Sequence, residues 1–347
     1  MDAFASALLN WYDVHGRHDL PWQRARTPYR VWLSEIMLQQ TRVATVIPYF
    51  ERFVAALPDL PSLAAADEDR VLALWAGLGY YSRARNLLAA ARTCMERHGG
   101  TLPRDIESLA ALPGIGRSTA AAILAQAHDE PHAILDGNVR RVLARRHGVA
   151  GWPGTPRVQR VLWDHALQHT PTRRAADYTQ AIMDLGATLC TRTSPRCGEC
   201  PVADGCVARE QGRVAELPTP KPSKALPQRD TTMLVLRDTK GHVLLRRRAP
   251  TGVWARLWSL PEADANTVES VAMRHAARIE ARRELPAFVH VFSHFQLRVT
   301  PVRFDVRRAA SGVGDDPDSR WCAPDAWRAL GLPAPVRRLL DRLEDDP

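Results

Sequence analysis

Lysine is almost absent from this 347-residue sequence. Only three of its 47 basic residues are lysines, at positions 221, 224 and 240, and the rest are arginines. Because a Schiff base needs an uncharged amine and arginine stays protonated, a lysine nucleophile is excluded from the first 220 residues. The sequence also lacks an apolar run of about 18 residues, so we expect no membrane-spanning helix. Its start, MDAFASALLN, has no basic segment, so we expect no targeting signal and a cytoplasmic location.

The length and the net charge of the chain narrow the class of protein further. A chain of 347 residues favours two domains over one, and 45% hydrophobic residues are enough for sizeable cores. The formal net charge is +9. Such a balance favours a polyanionic partner, and nucleic acid is the obvious candidate.

Helical periodicity dominates the first 212 residues, where alternating strand patterns are scarce. We therefore predict a mostly α region from residue 1 to residue 212. Its helices are predicted within segments 27–53, 67–75, 82–98, 105–111, 117–127, 139–147, 158–170 and 175–189.

The composition changes after residue 212. Residues 217–228, LPTPKPSKALPQ, contain four prolines, and we predict a linker over 213–228. The segments TTMLVLRD and GHVLLRRR then flank a turn, which indicates a β-hairpin. AFVHVFSHFQLRVTPVRFDVR suggests two more strands and PAPVRRLLDRLED a helix, so we predict an α+β domain over residues 229–347.

Four of the six cysteines form one short cluster. Cys190, Cys197, Cys200 and Cys206 follow the spacing C-x6-C-x2-C-x5-C. Four thiolates in so short a loop can converge on a metal ion or an iron–sulfur cluster. Disulfides are the weaker alternative, since nothing else marks the chain as secreted. Zinc and a [4Fe–4S] cluster both accept four cysteines, so the ligands alone do not choose between them.

A glycine-containing turn, LPGIG, lies between two predicted helices at residues 112–116. Glycines allow a tight turn and a close approach to another molecule, and the next helix presents its N–H groups. This geometry favours a phosphate contact, although an ordinary helical hairpin would have the same pattern.

Two carboxyl groups have apolar neighbours. Glu35 lies in VWLSEIMLQQ and Asp136 in AILDGNVRRVL. Apolar surroundings raise a carboxyl pKa and suit a general acid, while a carboxylate that stays ionised stabilises a developing cation. The alternatives are a helix N-cap for Asp136 and a solvated side chain for Glu35.

These segments together resemble a known family. WLSEIMLQQTRV, LWAGLGYYSRARNL, LPGIGRSTAAAIL, ILDGNVRRVL and the cysteine loop are similar, in the same order, to those of MutY-type adenine DNA glycosylases. That family belongs to the helix-hairpin-helix superfamily, which includes endonuclease III. The resemblance covers residues 5–210 and implies a [4Fe–4S] cluster on loop 190–206 rather than zinc.

The resemblance implies removal of adenine mispaired with 8-oxoguanine or guanine in duplex DNA, with the adenine flipped out of the stack. It implies that Glu35 protonates the adenine ring, that Asp136 stabilises an oxocarbenium-like sugar and that Asn138 positions this region. Ser118 occupies the place of the Schiff-base lysine in bifunctional relatives. We therefore expect a monofunctional enzyme without strong lyase activity, working as a monomer.

The resemblance also suggests binding residues. Gln40 and Tyr80 are expected to enter the duplex, and Leu112, Gly114, Gly116 and Arg140 to contact DNA. The residues expected to line the adenine pocket are Trp22, Gln23, Leu78 and Gln180. Core packing is the alternative for Trp22, Leu78 and Tyr80.

The C-terminal region resembles the MutT-like (Nudix-like) domain of the same family. Ser293 and His294, in VFSHFQLRV, match the segment that senses 8-oxoguanine, and their side chains can supply hydrogen bonds. The alternative is a strand with polar residues at its exposed edge. The stretch between Leu260 and Leu285 lacks the acidic REx2EE box of nucleotide pyrophosphohydrolases, so this domain is expected to read DNA rather than hydrolyse nucleotides.

Two other classes of protein account for part of these features. An endonuclease III-like glycosylase/lyase would share the fold, hairpin and cluster, but it would need a lysine near Ser118. A non-catalytic DNA-binding or redox-sensing iron–sulfur protein would explain the charge and the cysteines. It would leave Glu35 and Asp136 unexplained.

Overall fold

The structure, a computed structural model, describes residues 1–222, 225–308 and 316–344. The chain divides into two compact units. The first comprises Met1–Ala65 and Asn86–Ser223, and the second comprises Ala66–Arg85 and Lys224–Pro347. Residues 66–85 thus belong to the unit of the C-terminal region, although they lie early in the sequence. The linear boundaries at 212 and 229 stay a prediction.

Helices dominate the chain up to residue 210. They are α1 (Ala3–His15), α2 (Pro21–Arg24), α3 (Pro28–Leu38), α4 (Val43–Ala56), α5 (Leu60–Ala65), α6 (Glu68–Trp75), α7 (Ser82–Arg97), α8 (Ile106–Ala111), α9 (Arg117–His128), α10 (Gly137–Arg146), α11 (Pro156–His169), α12 (Ala175–Asp184) and α13 (Val207–Glu210). A π-helical turn, Leu185–Leu189, continues α12, and a 3-10 turn covers Cys197–Glu199.

Capping residues set where many of these helices begin. The side chains of Thr27, Asp105, Asp136 and Thr155 each accept a hydrogen bond from an amide three residues later. These bonds satisfy amides that the first turn leaves without a partner. The mostly helical character predicted from periodicity is confirmed.

Helix α9 is the centre of the first unit. It packs against α3, α8 and α12, and it is buried along most of its length, with Ala120, Ala121, Ala122 and Ala125 among its buried residues. Alanine side chains let neighbouring helices approach closely. This packing brings side chains of α3, α9 and α12 into one polar cluster inside the unit.

The second unit is built on one sheet. Its elements are β1 (Gln228–Asp238), β2 (Val243–Arg247), β3 (Trp258–Ser259), β4 (Glu262–Ala263), α14 (Val268–Met273), β5 (Ala276–Glu284), β6 (Phe288–Val291), β7 (Gln296–Arg308), β8 (Ser319–Cys322), α15 (Pro324–Arg328) and α16 (Ala334–Glu344). The main strand order is β3-β2-β1-β7-β5, and β4, β6 and β8 pair with β1, β7 and β2.

The central strand β1 is covered on both faces, which explains its continuous apolar run. Met233 and Val235 face one core and Leu234 and Leu236 face another. β1 runs parallel to β7 and antiparallel to β2, so the predicted hairpin is confirmed. The two further strands predicted over AFVHVFSHFQLRVTPVRFDVR are β6 and β7, and they pair antiparallel. Strand β5, AARIEARRE, was missed because its charged side chains are mostly exposed and give no alternation.

The segment predicted as a linker begins packed on the first unit. Leu217 is 2% exposed, and its carbonyl accepts a hydrogen bond from Arg145 Nε at 2.8 Å. Gly151 N donates to Thr219 Oγ1 at 3.0 Å. Residues 223 and 224 of this segment lie outside the described residues. No helix in the described ranges is long and apolar enough to span a membrane.

Candidate active site and cysteine loop

Glu35 lies on α3 with its carboxyl group turned towards α9. Gln126 Nε2 donates a hydrogen bond to Glu35 Oε1 at 2.8 Å. Burial, and to a smaller extent the charge of Asp136, raise the pKa of Glu35 to about 7, and the hydrogen bond from Gln126 opposes this shift. Near neutral pH this carboxyl group therefore carries a proton that it can give up.

Asp136 caps the N-terminus of α10. Its Oδ1 accepts a hydrogen bond from Val139 N at 2.7 Å. Burial raises the pKa of Asp136, whereas the amides of Val139 and Asn138 and the charges of Arg141 and Arg140 lower it. No cationic group contributes to the pKa shift of Glu35. Burial outweighs these amides and arginines, so the pKa of Asp136 stays above its usual value, but Asp136 has anion-stabilising partners that Glu35 lacks.

Ser118 lies in the first turn of α9 and supports the segment that leads to Asp136. Its Oγ accepts a hydrogen bond from Leu135 N at 2.9 Å. The hydroxyl thus fixes the backbone immediately before the carboxylate. The structure places an alcohol there, and an alcohol does not form a Schiff base.

Three of the residues predicted for the adenine pocket lie in the first unit, and Gln126 connects two of them, Gln23 and Gln180, to Glu35. Trp22, Gln23 and Gln180 are 3%, 9% and 3% exposed. Trp22 packs edge-to-face against Phe50 with ring centroids 5.4 Å apart. Gln23 Nε2 donates to Gln180 Oε1 at 2.5 Å and to Gln126 Oε1 at 3.3 Å. Both amide protons of Gln23 are therefore already engaged.

Sequence reasoning missed three members of this polar cluster. Gln126 and Asp184 are 4% and 0% exposed, and Arg26 Nε donates to Gln23 Oε1 at 2.6 Å. The available signal was polar side chains inside the apolar helices ILAQAH and QAIMDL. Such residues are hydrogen-bonded when buried, but sequence alone does not name the partner.

Helix α10 connects Asp136 to the cysteine loop. Arg141 donates to Asn138 Oδ1 at 2.8 Å, to the carbonyl of Gly186 at 2.7 Å and to the carbonyl of Cys190 at 2.7 Å. Gly186 lies so close to α10 that a Cβ atom there would come within 2.6 Å of Asn138 Cβ. Asn138 therefore positions the start of α10 against the π-helical turn.

The four cysteines line one cavity together with Arg145. All four are free thiols. No group of three His, Cys, Asp or Glu side chains among the described residues surrounds a single-ion position. Burial raises the pKa of Cys190 and Cys200, while Arg145 and Arg141 lower that of Cys190.

Arg145 shows that this cavity suits an anionic group. The side chain is 3% exposed. It donates to Cys190 Sγ at 3.4 Å and to the carbonyls of Thr191, Arg192 and Leu217. A buried guanidinium needs negative charge nearby, and an iron–sulfur cluster held by four thiolates supplies it. The donor set and the charge both fit such a cluster.

The glycine turn carries two different kinds of residue. Leu112 is buried, so its side chain belongs to the core. Gly114 has φ +78°, and a Cβ atom there would come within 2.8 Å of Asn86 Cβ. Gly116 is the N-cap of α9 and offers no side-chain cap. The backbone of this turn, rather than the leucine, is therefore what a ligand can reach.

Two further predicted DNA contacts belong to the first unit. Gln40 is exposed and has a φ of 58°, a backbone conformation that is uncommon outside glycine. Arg140 lies half-buried beside Asp136, and its Nε atom has no hydrogen-bond partner among the described residues. Gln40 thus lies at the surface, whereas the Nε atom of Arg140 is buried.

The second unit contains a separate cavity of about 650 Å³. Tyr80, Ser293 and His294 line it together with Trp254 and Phe292. Tyr80 is 49% exposed with φ 49°, and Ser293 Oγ lies 3.4 Å from His294 Nδ1. Three residues predicted from distant parts of the sequence thus share one cavity.

Other residues of the second unit shape that cavity or lie outside it. The Trp254 ring contacts the rings of His290 and Phe292 at centroid distances of 5.5 and 5.4 Å. Sequence reasoning did not identify Trp254. Leu78 is 6% exposed and does not line the cavity.

Comparisons with known proteins agree with this division of the chain. Residues 33–168 match a family described as HhH-GPD superfamily base excision DNA repair protein. Residues 190–206 match the iron-sulfur binding domain of endonuclease III, and residues 232–342 match the NUDIX domain. The predicted fold class is confirmed, and so is the [4Fe–4S] cluster on the loop of Cys190, Cys197, Cys200 and Cys206.

The relatives extend over nearly the whole chain. An adenine DNA glycosylase of Buchnera aphidicola subsp. Acyrthosiphon pisum (strain APS) is 34% identical, over 98% of this chain and 97% of its own. The adenine DNA glycosylase of Rattus norvegicus is 33% identical, over 99% of this chain and 78% of its own. The structure of a thermostable thymine-DNA glycosylase matches with TM-score 0.55 and 27% identity, over 60% of this chain and 95% of that one.

The predicted resemblance is therefore confirmed in both parts of the chain. An HhH-GPD region, a four-cysteine iron–sulfur loop and a NUDIX domain follow one another along this chain. The chain belongs to the adenine DNA glycosylase (MutY-type) family of base excision repair enzymes, which hydrolyse N-glycosidic bonds.

Proposed function

We propose that this protein removes adenine mispaired with 8-oxoguanine or guanine in duplex DNA, acting as a monomer on a flipped nucleotide and leaving the strand intact. The observation that carries the proposal is the pair Glu35 and Asp136. The pKa of Glu35 is raised to about 7, while two amides and two arginines favour the ionised form of Asp136 against the effect of its burial. This division of roles is what acid-assisted glycosidic cleavage requires.

In the proposed reaction, protonated Glu35 gives its proton to the adenine ring, which makes the base a better leaving group. Positive charge then develops on the sugar, and ionised Asp136 stabilises it. Asn138 and Ser118 hold the backbone on either side of Asp136 through their bonds to Arg141 and Leu135. Water completes the hydrolysis. Each group on this path belongs to one chain.

The cavity of the second unit is the proposed reader of the base opposite adenine. Ser293 and His294 supply a hydroxyl group and an imidazole on one wall, and exposed Tyr80 supplies an aromatic face. Hydrogen-bonding groups distinguish bases by their edges, and aromatic rings stack on their faces. The proposed role of this domain is recognition of DNA rather than hydrolysis of nucleotides.

The test is product analysis on a duplex with one A·8-oxoguanine pair, with T·8-oxoguanine as the control. We expect free adenine and an intact abasic strand that breaks only after alkali. Borohydride should trap little covalent adduct, because Ser118 has no amine and residues 1–220 contain no lysine. Release of another base would overturn the substrate assignment. Efficient trapping on a residue of the first unit would favour an endonuclease III-like lyase.

The pH dependence of adenine release should report on Glu35. The acid acts when protonated, and its pKa is raised to about 7. The single-turnover rate should therefore level off below pH 7 and fall roughly tenfold for each pH unit above it. The residual activity of the Glu35→Gln variant should lack this descending limb. A wild-type rate that rises through pH 8 would contradict the assignment of Glu35 as the acid.

Replacing Ser293 and His294 together with alanine should weaken discrimination between 8-oxoguanine and guanine. A good hydrogen-bond contact to a base contributes about 1–3 kcal/mol, so the ratio of the two mismatch rates should fall about 5-fold or more. Ser270→Ala is the control, because Ser270 is exposed on α14 and lies outside the cavity. An unchanged ratio in the double variant would mean that the segment is only a strand connection.

A further inference from the structure

Gln126 is a buried amide that the proposed mechanism does not yet use. It lies on α9 and is 4% exposed. Its Nε2 donates to Glu35 Oε1 at 2.8 Å, while its Oε1 accepts a bond from Gln23 Nε2 at 3.3 Å. One side chain thus connects the proposed acid, Glu35, to the polar cluster of Gln23 and Gln180.

The Asp184 carboxylate, at one end of this chain of glutamine side chains, sets the direction of their hydrogen bonds. Asp184 is 0% exposed, and its carboxylate accepts bonds from Arg17 Nη2 at 2.6 Å and Arg17 N at 2.8 Å. A carboxylate only accepts, so Gln180 must turn its NH2 group to Asp184, at 2.6 Å. The oxygen of Gln180 is thereby turned to Gln23, which must donate.

A second ion fixes the same direction from the other side. Arg26 Nε donates to Gln23 Oε1 at 2.6 Å, and a guanidinium only donates. The oxygen of Gln23 is therefore occupied, and its NH2 group points at Gln180 and Gln126. Gln126 must then accept with its oxygen and donate with its nitrogen. A flipped Gln126 would place two NH2 groups face to face.

The fixed orientation of Gln126 restricts where the acid proton of Glu35 can lie. When Glu35 is protonated, the oxygen that accepts a bond from an N–H group is the carbonyl oxygen, because a hydroxyl proton there would meet the donor's proton. The acid proton is therefore excluded from Oε1 and lies on Oε2. A general acid works only when its proton is within reach of the substrate atom that receives it.

We propose that Gln126 is a positioning residue that confines the acid proton of Glu35 to Oε2, and that Arg26, through Gln23, holds Gln126 in the donating orientation. The inference rests on the proposed role of Glu35 as the acid. The carboxyl group is thus oriented by the chain of buried amides formed by Gln126, Gln23 and Gln180.

The electrostatics of Glu35 agree with this role. The charged group that shifts its pKa is Asp136, from the N-terminus of α10, whose own charge Arg140 and Arg141 oppose. The bond from Gln126 lowers the pKa of Glu35, against burial and Asp136. Removal of the donor leaves only the two raising influences, so the pKa of Glu35 must increase.

The decisive measurement is the carbon-13 titration of the Glu35 carboxyl group in full-length, cluster-loaded protein, assigned with the Glu35→Gln variant. Gln126→Met keeps the length of the side chain and removes the amide. We expect its titration midpoint to move up by about one pH unit, the size of a typical hydrogen bond to a charged group. Gln168→Met, an exposed site on α11, is the matched control and should leave the midpoint unchanged.

A double-mutant cycle tests the relay from Arg26. Arg26→Leu alone should move the midpoint in the same direction by a smaller amount, although Arg26 does not touch Glu35. In the Gln126→Met background it should add nothing, because the amide it orients is gone. Arg26→Leu also serves if Gln126→Met does not fold. A midpoint that is unchanged in either single variant, or strictly additive shifts, would overturn the proposal.

The rate of adenine release gives a second readout. The pH above which the rate falls should increase in Gln126→Met together with the carboxyl titration midpoint. The rate plateau below pH 7 should drop about tenfold because the proton is no longer confined to one oxygen. A purely structural role would lower the melting temperature without moving the limb. If wild-type protein released no adenine, the proposed function would fail, and the carbon-13 titration would still decide the role of Gln126.

Discussion

Replacement of Glu35 with glutamine should lower the single-turnover rate of adenine release by about 10²–10⁴-fold, the usual contribution of a general acid. The amide keeps the shape of the side chain and still meets Gln126, which bonds to Glu35 Oε1 at 2.8 Å. It has no acidic proton to give. Binding to the mismatched duplex should stay within a few-fold of wild type, measured by titration of labelled DNA.

Glu51→Gln is the matched control for this experiment. Glu51 is exposed on α4, and the same loss of charge there should leave the rate unchanged. A Glu35→Gln variant that works at a near-normal rate would remove Glu35 from the chemistry. A variant that loses both rate and DNA binding would indicate a folding defect, which a thermal melt would detect.

Replacement of Cys200 with serine should remove the iron–sulfur cluster. Wild-type protein prepared without oxygen should hold about four irons per chain and absorb broadly in the visible range. The variant should lose most of that iron and colour, because one of four thiolate ligands is gone. Cys322→Ala, in the second unit, is the control and should retain the metal, since Cys322 lies outside the cavity of the cysteine loop.

Loss of the cluster should also lower activity through α10. Arg145 bonds to Cys190 and Thr191, and Arg141 joins Cys190 to Asn138. Without the cluster, residues 190–206 become less ordered, and the hydrogen bonds that hold Asn138 weaken. Because Asp136 caps the same helix, α10, its position depends on those bonds. We expect adenine release to fall at least tenfold, with faster proteolysis of the loop as an independent readout. Stoichiometric zinc in place of iron in native protein would contradict the cluster.

Several features of this protein could be predicted from the sequence because they depend on local chemistry. N-cap residues and period-3.6 patterns define helices such as α8 and α11. The cysteine spacing depends only on how far a short loop can reach. Glu35 and Asp136 stand out because a carboxyl group among apolar residues is unusual in any fold. Family resemblance then assigned them roles that composition alone left open.

The tertiary structure decided the features that depend on residues far apart in the chain. Residues 66–85 join the C-terminal unit, which brings Tyr80 to the same cavity as Ser293 and His294. Gln126, Gln23 and Gln180 form one directed chain only because α9 packs between α3 and α12.

The different surroundings of Glu35 and Asp136 are also a property of the fold. Burial raises the pKa of both carboxyl groups; the charge of Asp136 adds to this effect at Glu35, while amides and arginines oppose it at Asp136. Spacing along a sequence specifies which groups can form a helix or a loop. It does not specify how much water a carboxyl group loses or which charges surround it, and those quantities set its pKa.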